Sequence, residues 1–417
     1  MRLIYNLLIY LYGLLLRGAA FFTQKAKFWV EGRRGLFENL ERSLNSTGVN
    51  KQPLIWFHVS SLGEFEQGRP VIEALRKKRP DARFLLTFFS PSGYNVRKSY
   101  NQADVVCYLP LDTPANMRKF IRIVRPEMVF FVKYDFWFNC LQELHNQQIT
   151  VYFISAIFRK NQHFFKFYGG WFRRHLQYVT HFFVQNSESA ELLKKAGIAQ
   201  VTVSGDTRFD RVYTIASHMV DLPFIQKFAN NRRIFVAGSS WEPDEAVFLP
   251  VLNQKKSDLK FIIAPHDTSE ARIRQIRGQI TLTTVCYSEL NETNAATAEV
   301  LIIDCVGILA QIYRYAYIAY IGGGFGSGLH NIQEPVTFGV PVFFGPHYQK
   351  FKEAVDLVNL GGVISINTTT DLVVQVDEIL QNPDLHQRLS AICRQYVDDN
   401  RGATNKILQF LGMGSGL

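Results

Sequence analysis

The sequence predicts an α/β protein of two doubly wound, Rossmann-like domains facing a cleft, preceded by a membrane-associating N-terminal helix. Three observations carry this reading. The chain has 417 residues, too many for one ordinary domain of roughly 100–200 residues. From Leu54 onward, short apolar runs rich in β-branched and aromatic residues alternate with polar stretches of helix length, the pattern of successive βαβ units. A second such series begins after Asp221-Leu222-Pro223, the best linker candidate. The expected boundaries are therefore 1–34, 35–222 and 223–417.

Composition agrees with a folded chain. Hydrophobic residues make up 47% and charged residues 20%, and the mean hydropathy is −0.04, which excludes disorder. Lys and Arg number 46 against 36 Asp and Glu, a formal charge of +10. That excess favours an anionic partner: nucleic acid, a phosphorylated substrate or an acidic membrane surface. Aromatic content of 14%, including 34 Phe and 18 Tyr, leans towards the membrane surface and away from nucleic acid. The five cysteines are scattered and form no C-x-x-C pair, so neither a disulfide framework nor a structural zinc site has support.

The N-terminal element is the run LIYNLLIYLYGLLL from Leu3 to Leu16. A spanning helix needs about 20 apolar residues, and the run reaches that length only by including Arg17 through Phe22. A signal-peptide reading is weakened by an n-region holding only Arg2 and by a poor cleavage site. Arg17, Phe21, Phe22, Lys25, Lys27, Phe28, Trp29, Arg33 and Arg34 follow. Cations beside large aromatics suit the headgroup region of an anionic leaflet. The structural alternative is an amphipathic helix packed on the protein's own core.

In the first series the expected strands are Leu54–Ser60, Phe84–Phe88, Val105–Tyr108, Met128–Val132, Thr150–Ile154 and Phe182–Gln185. Helices are expected over Gln67–Lys78, over Ala115–Val124, and over Ser187–Lys195 with Ser187 as its cap and Gly197 as its stop. The second series has strands at Arg233–Ala237, Lys260–Ala264, Thr283–Val285, Val300–Ile303, Ala316–Ile321, Val340–Phe344 and Gly362–Ile366.

Two stretches carry most of the chemistry. Trp56 to Glu66 runs from a strand through a glycine turn into a helix, placing Glu64 at a strand's carboxyl end, where open α/β sheets bind their ligands. A carboxylate there can take a proton from a hydroxyl. Ser61-x-x-Glu64 is equally a capping box, and the residues alone do not decide between the two. The other stretch, Gly322-Gly323-Gly324-Phe325-Gly326-Ser327-Gly328-Leu329-His330-Asn331-Ile332-Gln333-Glu334-Pro335, follows a strand. Its glycines let backbone N–H groups approach a phosphate, and Glu334 could accept from ribose hydroxyls. It fits neither the dinucleotide fingerprint nor the P-loop. Pro265-His266-Asp267 and Gly345-Pro346-His347 also end strands.

Together these stretches resemble the 3-deoxy-D-manno-octulosonic acid (Kdo) transferases of lipopolysaccharide synthesis, a GT-B glycosyltransferase family with a short N-terminal membrane-associating helix. Val59–Glu66 is similar to the family's S-V-G-E segment, and Thr87–Gly93 to T-x-T-P-T-G. Tyr108–Asp112 resembles Y-L-P-x-D, and Gly205–Asp210 resembles G-x-x-K-F-D. His330–Pro335 matches H-N-x-x-E-P, and Gly345–His347 matches G-P-H. The last two are the most specific.

There are departures. The family's E-x-E-L-W-P-N reads Lys133-Tyr134-Asp135-Phe136-Trp137-Phe138-Asn139, with Lys133 replacing an acid. Arg208 replaces Lys, Pro265-His266-Asp267 replaces P-R-H, and Asp304-Cys305-Val306-Gly307-Ile308-Leu309 loses the Glu of D-T-x-G-E-L.

The resemblance implies an inverting transferase of the cytoplasmic face of the inner membrane. It would take CMP-Kdo as donor and a lipid A precursor, lipid IVA, as acceptor. Residues 35–222 would bind acceptor and 223–417 donor. Glu64 would be the general base, with Arg208 and Lys133 in the charge-stabilising positions. Pro265, His266, Val306, Gly307, Ile308, Gly326, Ser327, His330, Asn331, Ile332, Gln333 and Glu334 would hold CMP. No metal or other cofactor is implied, and no Asp-x-Asp occurs in the chain. Two alternatives remain: another GT-B enzyme using a UDP-sugar, and a non-catalytic membrane-bound binder of nucleotide-sugar or lipid A, which the acid lost at Lys133 keeps open.

Overall fold

Fourteen strands form two parallel sheets in the computed structural model, which describes residues 1–46, 52–217, 221–254, 259–326 and 328–414. The first sheet holds β1 (Leu54–Val59), β2 (Arg83–Phe88), β3 (Val105–Tyr108), β4 (Met128–Val132), β5 (Thr150–Ala156), β6 (His181–Val184) and β7 (Val201–Val203). Their order is β3-β2-β1-β4-β5-β6-β7, so chain direction across the sheet reverses between β1 and β4. Side chains alternate between its two faces. Trp56, Leu85, Val129, Phe131 and Phe153 enter one core, while Phe57, Leu86, Phe130, Val132 and Ile154 enter the other. Both faces are covered, which is why these strands read as unbroken apolar runs.

The second sheet holds β8 (Arg233–Ser240), β9 (Leu259–Pro265), β10 (Thr284–Cys286), β11 (Val300–Ile302), β12 (Ile318–Ile321), β13 (Val342–Phe344) and β14 (Val363–Ser365). Its order is β10-β11-β9-β8-β12-β13-β14, with the reversal between β8 and β12. Each unit is the doubly wound layer expected from the sequence.

Differences from the sequence reading are local. β7 has only three residues, too short for a periodic signal. The helix over Ser187–Lys195 is capped by Asn186, whose side chain accepts from Ser189 N–H at 2.8 Å. Ser187 is therefore its first helical residue and not its cap. The two compact units are Met1–Arg211 with Arg401–Leu417, and Val212–Asn400, whereas the sequence reading carried the second domain to 417. Asp210 accounts for the return of the chain. Its carboxylate accepts from Gly402 N–H at 2.5 Å and Thr404 N–H at 2.7 Å. That caps the helix Ala403–Phe410, and Ile407 and Leu408 then join the core of the first sheet.

Among the described residues, three helices precede β1: α1 (Arg2–Ala19), α2 (Gln24–Glu31) and α3 (Leu36–Ser46). One side of α1 packs on the first unit. The Tyr5 hydroxyl donates to Asp112 at 2.6 Å, Asn6 accepts from Asn139, and Gly13 is buried. A Cβ on Gly13 would lie 2.6 Å from Leu111 Cδ2, so this approach needs glycine. The other side leaves Leu3, Leu7, Leu14 and Leu15 exposed, Leu7 at 67%. No single helix among the described residues is long and apolar enough to cross a membrane, and α1 and α2 meet at a bend of 119°.

Candidate active site

Parallel sheets bind ligands beyond their strands' carboxyl ends, at the point where strand order reverses. In the first unit that point lies between β1 and β4. Beyond β1 comes α4 (Leu62–Lys78), with Glu64 in its first turn; beyond β4 come Lys133, Tyr134 and Asp135.

Glu64 closes a capping box with Ser61. Its Oε2 accepts from Ser60 N–H at 2.7 Å and Ser61 N–H at 3.0 Å. Its Oε1 has no hydrogen bond among the described residues. Burial pushes this carboxyl up to about 7, and the like charge of Asp135 adds to that. The Ser60 and Ser61 amides and Lys133 oppose it. A carboxylate titrating near neutrality suits a general base.

Lys133 begins the turn after β4 in a left-handed conformation, φ +69°, uncommon outside glycine. Its N–H donates to Ile154 O at 2.9 Å. The positive charge faces Glu64 where the family pattern has an acid.

A buried polar row supports this turn. Trp137 Nε1–H donates to His58 Nε2 at 2.9 Å, which assigns the proton of the neutral ring to Nδ1. Nδ1–H then donates to Thr87 Oγ1 at 2.8 Å, and Thr87 Oγ1 also accepts from Trp56 Nε1–H. Asp135 Oδ2 lies 3.5 Å from His58 Nε2. That nitrogen's lone pair is engaged by Trp137, and Asp135 Oδ2 is buried without a hydrogen bond among the described residues. Sequence reading singled out neither His58 nor Trp137, and noted Asp135 only as part of a motif. Their shared signal was position: each sits at or just beyond the carboxyl end of β1 or β4.

Arg208 enters the same unit from the helix Thr207–Ser217. Its Nε and Nη2 donate to Asp206 Oδ2 at 2.9 and 2.7 Å, and Asp206 also accepts from Gln67 of α4. Burial alone would raise the Asp206 carboxyl; the Arg208 guanidinium carries it below its ordinary value. Asp206, which orients Arg208, is thus tied to α4 one helical turn beyond Glu64.

In the second unit the corresponding point lies between β8 and β12. Trp241, just after β8, stacks on His266 at 4.3 Å between centroids, and His266 stacks on His330 at 4.8 Å. Trp241 Nε1–H donates to His330 Nε2 at 2.9 Å. Asp244 Oδ2 accepts from Trp241 N–H at 3.0 Å and Gly323 N–H at 2.8 Å, and Oδ1 from Tyr320 OH. One carboxylate therefore ties the turn after β8 to the turn after β12. Trp241 and Asp244 were missed because β8 extends three residues beyond the end read from sequence.

Backbone packing accounts for much of the glycine run. A Cβ on Gly322 would sit 2.2 Å from Ser239 O, and one on Gly324 would sit 2.5 Å from Gly345 N. Gly326 N–H donates to Gly323 O, and its own carbonyl lies 3.2 Å from His347 Nδ1. Ser327 lies outside the described residues. Asn331 Oδ1 accepts from Gln333 N–H, and Asn331 Nδ2 donates to Glu334 Oε1 at 3.2 Å. The side chains of Ile332 and Gln333 are buried, as is Pro265. Val306 stands 82% exposed, followed by Gly307 at φ +98° and Ile308 at the start of the helix Leu309–Ile312. The expected donor residues thus follow the carboxyl ends of β9, β11 and β12.

A family model described as 3-deoxy-D-manno-octulosonic-acid transferase (kdotransferase) matches residues 32–211. The 3-deoxy-D-manno-octulosonic acid transferase of Haemophilus influenzae is 24% identical over 86% of this chain and 86% of its own. That of Aquifex aeolicus is 25% identical over 82% and 91%, and that of Chlamydophila psittaci 25% over 80% and 78%. These matches support the Kdo transferase family for this chain. The matched family segment contains Glu64, Lys133, Asp135 and Arg208, while the relatives' matches, over 80–86% of the chain, reach into the second unit. The fold also resembles UDP-GlcNAc 2-epimerases. The Neisseria meningitidis structure, bound to UDP-GlcNAc, has a TM-score of 0.60 at 16% identity over 86% of this chain and 99% of its own. The Methanocaldococcus jannaschii structure has a TM-score of 0.52 at 15% identity over 87% and 100%. These likenesses are of fold, the GT-B-like pair of Rossmann units.

Proposed function

We propose that this glycosyltransferase moves Kdo from CMP-Kdo to a primary hydroxyl of a lipid A precursor with inversion, using Glu64 as general base. The observation that carries the reading is the Glu64 carboxyl: buried at the β1/β4 reversal, held by Oε2, raised to about 7, and with Oε1 unengaged among the described residues. Oε1 takes the hydroxyl proton as the oxygen attacks the Kdo anomeric carbon. The bond from that carbon to the CMP phosphate oxygen breaks, and CMP leaves with the electron pair. Attack opposite the leaving group inverts the centre. Arg208, oriented by Asp206, stabilises charge on the departing phosphate or sugar carboxylate, with Lys133 nearby; this is fixed electrostatic stabilisation. Pro265, His266, the 306–308 turn and residues 326–334 hold CMP, and no metal takes part.

The protein works on the cytoplasmic face of the inner membrane, resting on it through the exposed side of α1 and the basic, aromatic flank. The test is incubation with labelled CMP-Kdo and lipid A precursor, with products resolved by mass. Precursor gaining one or more Kdo masses supports the reading; CMP-Kdo binding without any transfer overturns it.

A further inference from the structure

The bend between α1 and α2 opens a groove of about 1430 Å³, entirely within the first unit. Its apolar lining includes Leu14 of α1, Leu36 and Phe37 of α3, and Leu111 after β3. Four cations line it, Arg17, Lys27, Arg33 and Arg34, against one carboxylate, Glu31. Arg33 is committed to the fold: its guanidinium donates to Trp29 O, Phe89 O and Leu109 O. Arg17, Lys27 and Arg34 are exposed. Apolar walls under a cationic rim fit an amphiphile whose acyl chain adjoins an anionic group.

The groove also borders the catalytic turn. Trp29 lies 5.9 Å from Phe89 between ring centroids, and Phe89 lies 4.5 Å from Trp137, the residue that donates to His58. Phe89 and Ser90 donate their N–H groups to Val59 O and Ser60 O, and Ser60 in turn holds Glu64. A ligand whose hydroxyl reaches Glu64 is therefore within one layer of side chains of the groove.

We infer that this groove binds the lipid portion of the acceptor, with an acyl chain against Leu14, Leu36 and Leu111 and an anionic group at Arg17, Lys27 and Arg34. The inference rests on the transfer reading above and assigns the acceptor a second point of attachment, away from the reacting hydroxyl. Chain burial lowers KM for the acylated acceptor without contributing to the chemical step.

The test uses the full chain in non-ionic detergent, with lipid A precursor and the same precursor stripped of its acyl chains. Ala115→Trp fills the groove from an exposed position, and the Lys27→Glu/Arg34→Glu pair reverses its rim. Ala115→Trp should raise KM for the acylated acceptor about tenfold or more and leave KM for the stripped acceptor unchanged, whereas the rim pair should raise KM for both, because the stripped acceptor keeps its anionic groups; kcat should stay within about twofold throughout. Equal effects of Ala115→Trp on both acceptors, or no effect of either variant, would overturn the inference while wild-type transfer keeps the function reading standing. An inert wild type overturns both. Variants that lose anionic-vesicle binding yet keep their KM in detergent would assign the groove to bulk phospholipid and overturn it as an acceptor site.

Discussion

Ser61 and Glu64 hold one another at the entrance to α4: Glu64 N–H donates to Ser61 Oγ at 3.3 Å, and Ser61 N–H donates to Glu64 Oε2 at 3.0 Å. The capping role and the proposed base role draw on different atoms of one carboxylate. The box engages Oε2, leaving Oε1 for a proton. A helix cap and the proposed general base are therefore compatible here, and the cap fixes the carboxylate in one orientation.

Glu64→Gln separates the two. Glutamine keeps an oxygen for the Ser60 and Ser61 amides but cannot accept the proton, so turnover should fall ~10²–10⁴-fold while CMP affinity holds. Stability gives an independent readout. Because the folded carboxyl is raised from 4.5 to about 7, wild-type stability falls as pH rises through that interval. The variant lacks this loss, so its melting temperature should exceed the wild type's above pH 7 and converge with it below 4.5. Near-normal turnover would return Glu64 to capping alone.

Asp135 should set the pH profile. The proposed base must be ionised to accept a proton, so kcat/KM should rise with pH through about 7. Asp135→Asn removes the like charge that helps hold the carboxyl up, and the acidic limb should move to lower pH. A limb that stays in place would show that burial alone raises Glu64.

Donor affinity should reside in the second unit. Glu334→Ala should weaken CMP binding by roughly 1–3 kcal/mol if the carboxylate holds ribose hydroxyls, measured by calorimetry. Its contact with Asn331 makes Asn331→Ala the companion variant, with a smaller loss expected. Unchanged CMP affinity in both would remove the H-N-x-x-E-P stretch from the donor site.

Membrane association should depend on the outward side of α1. Leu3 and Leu7 are exposed, so Leu3→Glu/Leu7→Glu should leave the melting temperature nearly unchanged while reducing sedimentation with anionic vesicles. Wild-type binding should fall as salt rises, because the basic flank is screened. Undiminished vesicle binding by the variant would count against α1 as the contact.

Tyr5→Phe should loosen α1 from the first unit. The Tyr5 hydroxyl bonds a carboxylate that is buried and raised to about 6, and a hydrogen bond to a charged group contributes about 1.5–3 kcal/mol. Chemical denaturation should report a loss of that order; an unchanged midpoint would show that ring packing on Phe138 and Trp171 alone holds the helix.

Much of this was legible from residue order. Thirteen of the strands lie where apolar runs placed them, because a strand buried on both faces must be apolar throughout; β7 escaped because three residues carry no period. Glu64, the glycine run and the H-N-x-x-E-P stretch could be read because each lies close in sequence to the strand that positions it. What the sequence could not convey is which distant strand ends meet. Asp135 beside Glu64, Trp241 stacked with His266 and His330, and Asp210 recapturing the chain at Gly402 each join residues dozens to nearly two hundred positions apart. So sequence alone determined the two-unit α/β plan, the family resemblance and the identity of the candidate base. Only the tertiary structure decided that base's proton affinity, since desolvation and a neighbouring charge are properties of packing and not of residue type.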